Sequence, residues 1–402
     1  LRAALSSKIA LLALLLTAPL VSFAGEPHGN PLNRDPLVRE AFQHFYVLDY
    51  PPCIELLEKV HREHWQDPEA ATLLLEAEVF AELYRQDLLD TTFYANDGFL
   101  TGKHPTPEDP AKRDRIFALS DEANRLADAR INANPHDADA LYARGWARAL
   151  RAAYMAMVER SFGAAFRMAL QAHGDEVRVL QIDPDYIDAK LVVGTYQYVI
   201  GALPLAFKFF FGFAGITGSK QRGMEMLHDA ASRAPMVSVE SSTVIMLFLR
   251  REAKYQEAIQ VVRGLEAKYP RDFLFTLEEA NLRKDAGEGM AAVYAYQKLL
   301  SEAAKPGFFY DPHMELAYFG LGEGLKGQRH YGDAAEAYEH AAWTPNSGAE
   351  LKRRSLVAAG KCHDLNGQRP LAIRDYQAAI ATGSDTTQGD IAKRLLREPY
   401  HE

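Results

Sequence analysis

Residues Glu315–Asp385 read ELAYFGLGEGLKGQRHYGDAAEAYEHAAWTPNSGAELKRRSLVAAGKCHDLNGQRPLAIRDYQAAIATGSD, and the stretch contains its own ruler. Gly322, Ala334, Tyr338 and Ala341 recur as Gly360, Ala372, Tyr376 and Ala379, each pair offset by 38 residues. In each unit a small residue, a second small residue, an aromatic and a third small residue stand at relative positions 8, 20, 24 and 27. A period of this length fits two helices joined by a turn. One such unit cannot bury its apolar face alone, so units stack, with small residues where helices touch and the aromatic filling the gap.

The ruler extends backwards. Phe273 to Pro306 fits through Ala280, Ala292, Tyr296 and Leu299, and Val239 to Asp272 through Met246, Ala258, Val262 and Leu265. Pro270, Pro306 and Pro345 each follow a second helix, where they stop it. The front half keeps the second-helix spacing but stretches each unit. Gly194 pairs with Gly223, Leu227 and Ala230 only if extra residues are placed around Gly201 to Thr217. Gly145 pairs with Ala172 and Val179 with a similar excess, and Ala77 with Ala123 and Ala127 across an insertion at Gly98 to Pro110. Ala41, Cys53, Leu57 and Val60 make a first, uninterrupted unit. Eight helix pairs result, closed by a charged capping helix at Ile391 to Glu398.

This spacing resembles the tetratricopeptide repeat. The series Pro184-Asp185-Tyr186-Ile187-Asp188-Ala189, Gly194-Thr195-Tyr196-Gln197-Tyr198, Leu203-Pro204, Lys208, Gly215, Gly218 and Gly223 is similar to a group of exported bacterial tetratricopeptide proteins. Leu203 to Leu227 also resembles a cytosolic repeat family linked to inclusion-body clearance and lipid droplets. By architecture alone the chain is similar to the periplasmic T-component of TRAP transporters. The resemblance implies an all-α fold, a right-handed alpha-alpha superhelix (TPR-like solenoid) with helical insertions in the N-terminal half. The expected divisions are 1–24, a signal peptide; 25–235, degenerate helix pairs with insertions; 236–386, regular repeats; and 387–402, a capping helix and tail.

The signal peptide is read from Arg2 and Lys8, the apolar run Ile9 to Leu16 and the small-x-small site Ser22-Phe23-Ala24, with cleavage expected after Ala24. The apolar run is too short for a permanent anchor, so a periplasmic or secreted chain without a transmembrane span is expected. The formal charge of −9 argues against a general nucleic-acid binder. Cys53 and Cys362, near opposite ends, are expected to be unpaired core residues.

Two groups are binding candidates. In the tetratricopeptide family, first-helix positions 2, 5, 9, 12 and 13 line the concave side. Carried onto this sequence, they include Arg250, Arg251, Asn281, Lys284, Lys326, Arg354 and Lys361. A row of these residue types on an acidic chain suits a carboxylate or an acidic peptide. Against this, positions 12 and 13 end a helix, where bases also complement the dipole, and Glu240, Glu323 and Asp364 share the face. The second group is the aromatic run Phe207, Phe209, Phe210, Phe211 and Phe213 around Lys208, with Tyr196 and Tyr198 before it. It reads either as an apolar contact for lipid, ligand or a partner helix, or as a hairpin folded on the solenoid's own core.

His61 and His64 flank Glu63 without a third ligand in range, and His104, His136 and His313 stand beside prolines in turns. Gly320-Leu-Gly-Glu-Gly324 has no preceding strand and no Gly-Lys-Ser/Thr, so close helix packing accounts for it. No nucleophile elbow, His-Glu-x-x-His or cysteine pair occurs. The expectation is a non-enzyme with no cofactor and no metal: an exported scaffold binding a protein or peptide in its concave groove. The alternative is a carrier or transporter accessory that takes an apolar small molecule or lipid at the Phe-rich insertion.

Overall fold

Asp35-Pro36, Asp67-Pro68 and Asp109-Pro110 mark helix starts by simple chemistry: the Asp carboxylate caps an early N–H, and Pro needs no partner for the N–H it lacks. The computed structural model, which describes residues 28–95, 109–203 and 217–402, places a helix at each. The carboxylates accept the N–H of Leu37 at 2.7 Å, Glu69 at 3.0 Å and Ala111 at 2.9 Å.

Among the described residues there are 17 α-helices and no strand. The front pairs are α1 (Pro36–Phe45) with α2 (Tyr50–Glu63), α3 (Pro68–Arg85) with α4 (Pro110–Ala133), α5 (Ala138–Met157) with α6 (Phe162–Ile182), and α7 (Lys190–Ala202) with α8 (Lys220–Arg233). The back pairs are α9 (Ser238–Arg251) with α10 (Tyr255–Lys268), α11 (Phe273–Asp285) with α12 (Met290–Ala303), α13 (Met314–Gly327) with α14 (Tyr331–Trp343), and α15 (Ala349–Leu365) with α16 (Arg369–Thr382). Helix α17 (Thr387–Arg397) covers the last pair. The excess residues of the Gly145 unit do not form a loop; they lengthen α5 and α6 to 20 and 21 residues. The change at residue 235 is one of regularity and not a break in the core, since one apolar cluster runs from Leu32 to Cys362.

The ruler's contacts are physical. A Cβ on Gly322 would stand 2.7 Å from the Tyr338 ring, and one on Gly360 2.4 Å from the Tyr376 ring. Gly320, on the other side of α13, receives Tyr296 of the preceding pair, where a Cβ would come within 2.4 Å. The glycines of this stretch therefore admit tyrosines from both neighbouring helices. Most turns between the two helices of a pair carry a residue at positive φ: Leu48, Arg160, Ala253, Gly287, Arg329 and Gly367. Only two of these six are glycine, so turn chemistry alone hides the repeat. Cys53 and Cys362 are free and buried.

The superhelix closes on its own beginning. Tyr46, just after α1, donates its hydroxyl to the carbonyl of Met236 at 3.1 Å, and its ring lies 4.8 Å from that of Tyr269. Tyr84, in α3, donates to the carbonyl of Asp311 at 2.8 Å. His28 meets Asp183 at 2.6 Å. Residues 1–27, which include the expected signal peptide, lie outside the described residues. No described helix is long and apolar enough to cross a membrane.

Candidate functional site

Helices α9 and α11 hold four of the seven candidate residues, and the surface these share is already in contact with this chain. After α3 the segment Asp87–Tyr94 ends in a short 3-10 turn (Thr91–Tyr94), which Asp90 caps through the Thr92 N–H at 2.9 Å. Arg250, 2% exposed, holds this turn. Its guanidinium donates to Thr91 Oγ1 at 2.8 Å, Thr92 Oγ1 at 3.1 Å, Glu278 Oε1 at 2.7 Å and Asp285 Oδ2 at 2.9 Å. Thr91 in turn donates its hydroxyl to Glu278. Arg251 donates to the Tyr94 carbonyl at 2.8 Å, and Asn281 to Asp90 at 3.3 Å while accepting from Tyr296 at 2.5 Å. Lys284 lies 3.8 Å from Asp285. The expectation that Arg250, Arg251 and Asn281 await a partner is thus corrected: the chain's own segment occupies them.

Lys326, Arg354 and Lys361 stand apart, on α13 and α15. Arg354 is exposed and sits over the Phe319 ring at 4.9 Å, and Lys361 lies over Tyr400 at 5.2 Å. Burial first, and then Lys326 and Arg394, hold the Lys361 ammonium below the usual lysine range. Glu323, on the same face, accepts from Tyr338 at 2.5 Å.

The apolar candidates separate. Tyr196 stacks on His173 at 3.7 Å and Tyr198 on Phe248 at 3.7 Å, so the two rings leave α7 on different sides and share no pocket. The Tyr198 hydroxyl donates to Glu252 at 2.8 Å beside Lys220, a polar rim. Phe207, Phe210 and Phe211 lie outside the described residues. Gly201 and Gly218, which flank that stretch, touch backbone to backbone: a Cβ on Gly218 would stand 2.8 Å from the Gly201 N.

Sequence reasoning missed the buried acids along the closure. Asp188 accepts from the N–H groups of Met236 at 3.0 Å and Val237 at 3.1 Å; burial still pushes it up to about 6. Glu240, which accepts from Tyr46 at 3.1 Å, is pushed by burial to about 7. Asp272, the cap of α11, is likewise pushed by burial to about 7. Burial and then Glu240 raise Glu76, whose carboxylate accepts from Trp146 Nε1 at 3.1 Å.

These folded-state values lie above the unfolded ones of about 4, so the folded protein binds more protons between about pH 4 and 7. Stability present below pH 4 is lost as pH rises through that window. His173, which burial holds below the ordinary histidine value, works weakly the other way. The urea midpoint is expected to be lower at pH 8 than at pH 5. A midpoint that rises over this range would mean that these carboxylates are not buried at the closure.

The repeat ruler assigns no place to Gln86, Asp87, Asp90, Thr91 and Thr92, the residues of the segment that meets α9 and α11. His61 pairs with Glu122 at 3.3 Å. His313, read from sequence as turn chemistry, is instead 5% exposed between Asp87 and Glu315.

No protein-family model and no curated protein matches the chain. Among solved structures it is similar to a tetratricopeptide repeat protein from Parabacteroides merdae ATCC 43184, at 14% identity over 80% of this chain and 97% of that one, with a TM-score of 0.33. It is also similar to yeast Tom70, at 11% identity over 90% and 87% of the two chains, TM-score 0.36. A third similar structure is the APC/C hetero-tetramer Cut9–Hcn1, at 13% identity over 89% and 69%, TM-score 0.35. Independently of these likenesses, the packing of Gly322 on Tyr338 and of Gly360 on Tyr376 makes the fold an alpha-alpha superhelix of tetratricopeptide-like helix pairs.

Proposed function

We propose that this chain is an interaction scaffold that takes an acidic protein segment at the C-terminal end of its concave groove. One observation carries the reading: Lys326 on α13 and Arg354 and Lys361 on the adjacent α15 gather cations in a chain of net charge −9, with Lys326 and Arg394 close enough to add to the effect of burial in lowering the Lys361 ammonium. Among the described residues none of these four cations is in an ion pair. Like charges gathered here, with Glu323 nearby but already accepting from Tyr338, favour an incoming carboxylate, and Phe319 beneath Arg354 adds an apolar surface for a neighbouring side chain. The groove at α9 and α11 is filled by residues 90–94, so the binding face lies at α13 and α15.

The test is selection from a displayed library of peptides with acidic C-termini, followed by anisotropy titration of the winners. The Lys326→Ala/Lys361→Ala variant is expected to bind about tenfold more weakly, with a flatter salt dependence. Equal affinity in the variant would remove this face from the function.

A further inference from the structure

Asp87 and His313, 226 residues apart, come together with Glu315. Asp87 follows α3 in a left-handed conformation, φ 61°, and His313 and Glu315 open α13. The Asp87 Oδ1 meets His313 Nδ1, and Glu315 Oε1 lies 3.5 Å from that same nitrogen. One donor atom from each residue falls within 4.8 Å of the other two. The His313 ring is held in place by Tyr84, whose ring lies 4.3 Å away and whose hydroxyl is anchored on the Asp311 carbonyl at 2.8 Å.

Glu315 is the telling residue. It is 0% exposed, and neither of its carboxylate oxygens has a hydrogen-bond partner. A buried carboxylate without a donor is costly, and such a group calls for an explanation. Among the described residues neither Asp87 nor Glu315 is paired with a lysine or arginine.

A second trio shows the contrast. Glu339, His363 and Asp375 have a similar arrangement, with His363 Nε2 at 3.0 Å from Glu339 and 3.5 Å from Asp375. There Arg374 bridges both carboxylates, and Gln368 takes the other histidine nitrogen at 2.8 Å. That trio carries its own permanent cation, and the first does not.

We propose that Asp87, His313 and Glu315 bind a divalent first-row transition-metal ion that fastens the segment after α3 to the start of α13. One imidazole nitrogen and two carboxylate oxygens suit Zn(II) or Mn(II). With His313 neutral, the two carboxylates balance the +2 ion, and Glu315 gains the partner it lacks. Ligation replaces the His313 Nδ1 proton, so binding releases a proton wherever that nitrogen carries one. Donors about 2.0–2.2 Å from an ion require the Asp87 and His313 side chains to part slightly, a rotamer-scale change.

The experiment uses the full chain stripped with EDTA and titrated with Zn(II), and with Co(II) as a spectroscopic probe. One equivalent is expected to bind, raising the thermal midpoint and giving a Co(II) spectrum with one nitrogen and otherwise oxygen donors. Glu315→Gln and Asp87→Asn are expected to weaken this at least about tenfold. Glu315→Gln keeps the shape and removes a buried charge, so its metal-free form is expected to fold and to melt no lower than the wild type. Circular dichroism of each variant checks this. Absence of binding in the wild type would overturn the site, as would undiminished binding in both variants. A metal-free Glu315→Gln that melts well below a wild type indifferent to Zn(II) would show a plain ion triad instead.

Discussion

Arg250→Ala is expected to lower the stability of the chain by about 3–5 kcal/mol, read as a shift of the urea unfolding midpoint. The size follows from what the substitution leaves behind. Glu278 is 4% exposed and shares its Oε1 between Arg250 and the Thr91 hydroxyl. Without the guanidinium, a buried carboxylate keeps only neutral donors and loses its counter-charge. Asp285, Thr91 and Thr92 lose donors in the same step. The segment Asp87–Tyr94 then loses the Arg250 part of its hold on α9, and protease cleavage within it is expected to quicken. Arg250→Lys keeps the charge but not the planar fork that reaches four partners, so it is expected to fall between.

A double-mutant cycle with Glu278→Gln separates the causes: neutralising Glu278 should restore part of the loss, because the unpaired charge is then gone. A residue reserved for an external ligand behaves differently. Its truncation usually moves stability by less than about 0.5 kcal/mol. A change that small would return Arg250 to the list of binding residues.

The contrast between Arg250 and Lys361 marks where sequence reading stops. A 38-residue period records contacts between helices adjacent in the chain, and these it located residue by residue: Gly322 with Tyr338, Gly360 with Tyr376, and Gly194 with Gly223 and Leu227. The rule for inward-facing positions also picked residues that share a surface, as the joint grip of Arg250, Arg251 and Asn281 on residues 90–94 shows. What fills that surface comes from 157 to 191 residues away. No period links Thr91 to Glu278, Tyr46 to Glu240 or Asp87 to His313, because those contacts form only once the superhelix has turned far enough to meet its own beginning. Their residue types gave little help. Thr91 and Thr92 hold no place in the repeat, and His313 beside Pro312 read as turn. Buried glutamates such as Glu76 and Glu240 occupy places where the pattern expects a solvated face. Lys326 and Lys361, picked by the same rule, lie on the first helices of neighbouring repeats, α13 and α15.

Gly223→Ala is expected to destabilise the chain by about 3 kcal/mol, although alanine is the better helix former. Its Cβ would stand 2.6 Å from the Gly194 carbonyl oxygen, 2.6 Å from the Tyr198 backbone nitrogen and 2.9 Å from Tyr198 Cβ. Two of these neighbours are backbone, so no rotamer change relieves the clash, and α7 must move away from α8. That movement is resisted from both sides, by Tyr198 stacked on Phe248 and by the backbone contact of Gly201 with Gly218. Gly264 in α10 supplies the matched control. A Cβ there meets nothing within 4 Å, so Gly264→Ala should gain roughly the helix-propensity difference of about 1 kcal/mol. One substitution type with opposite signs at two helical sites isolates the packing contribution, because the propensity gain is common to both. The true cost of the contact at Gly223 is then the difference between the two shifts. If both variants unfold at higher urea than the wild type, α7 and α8 do not touch backbone to backbone.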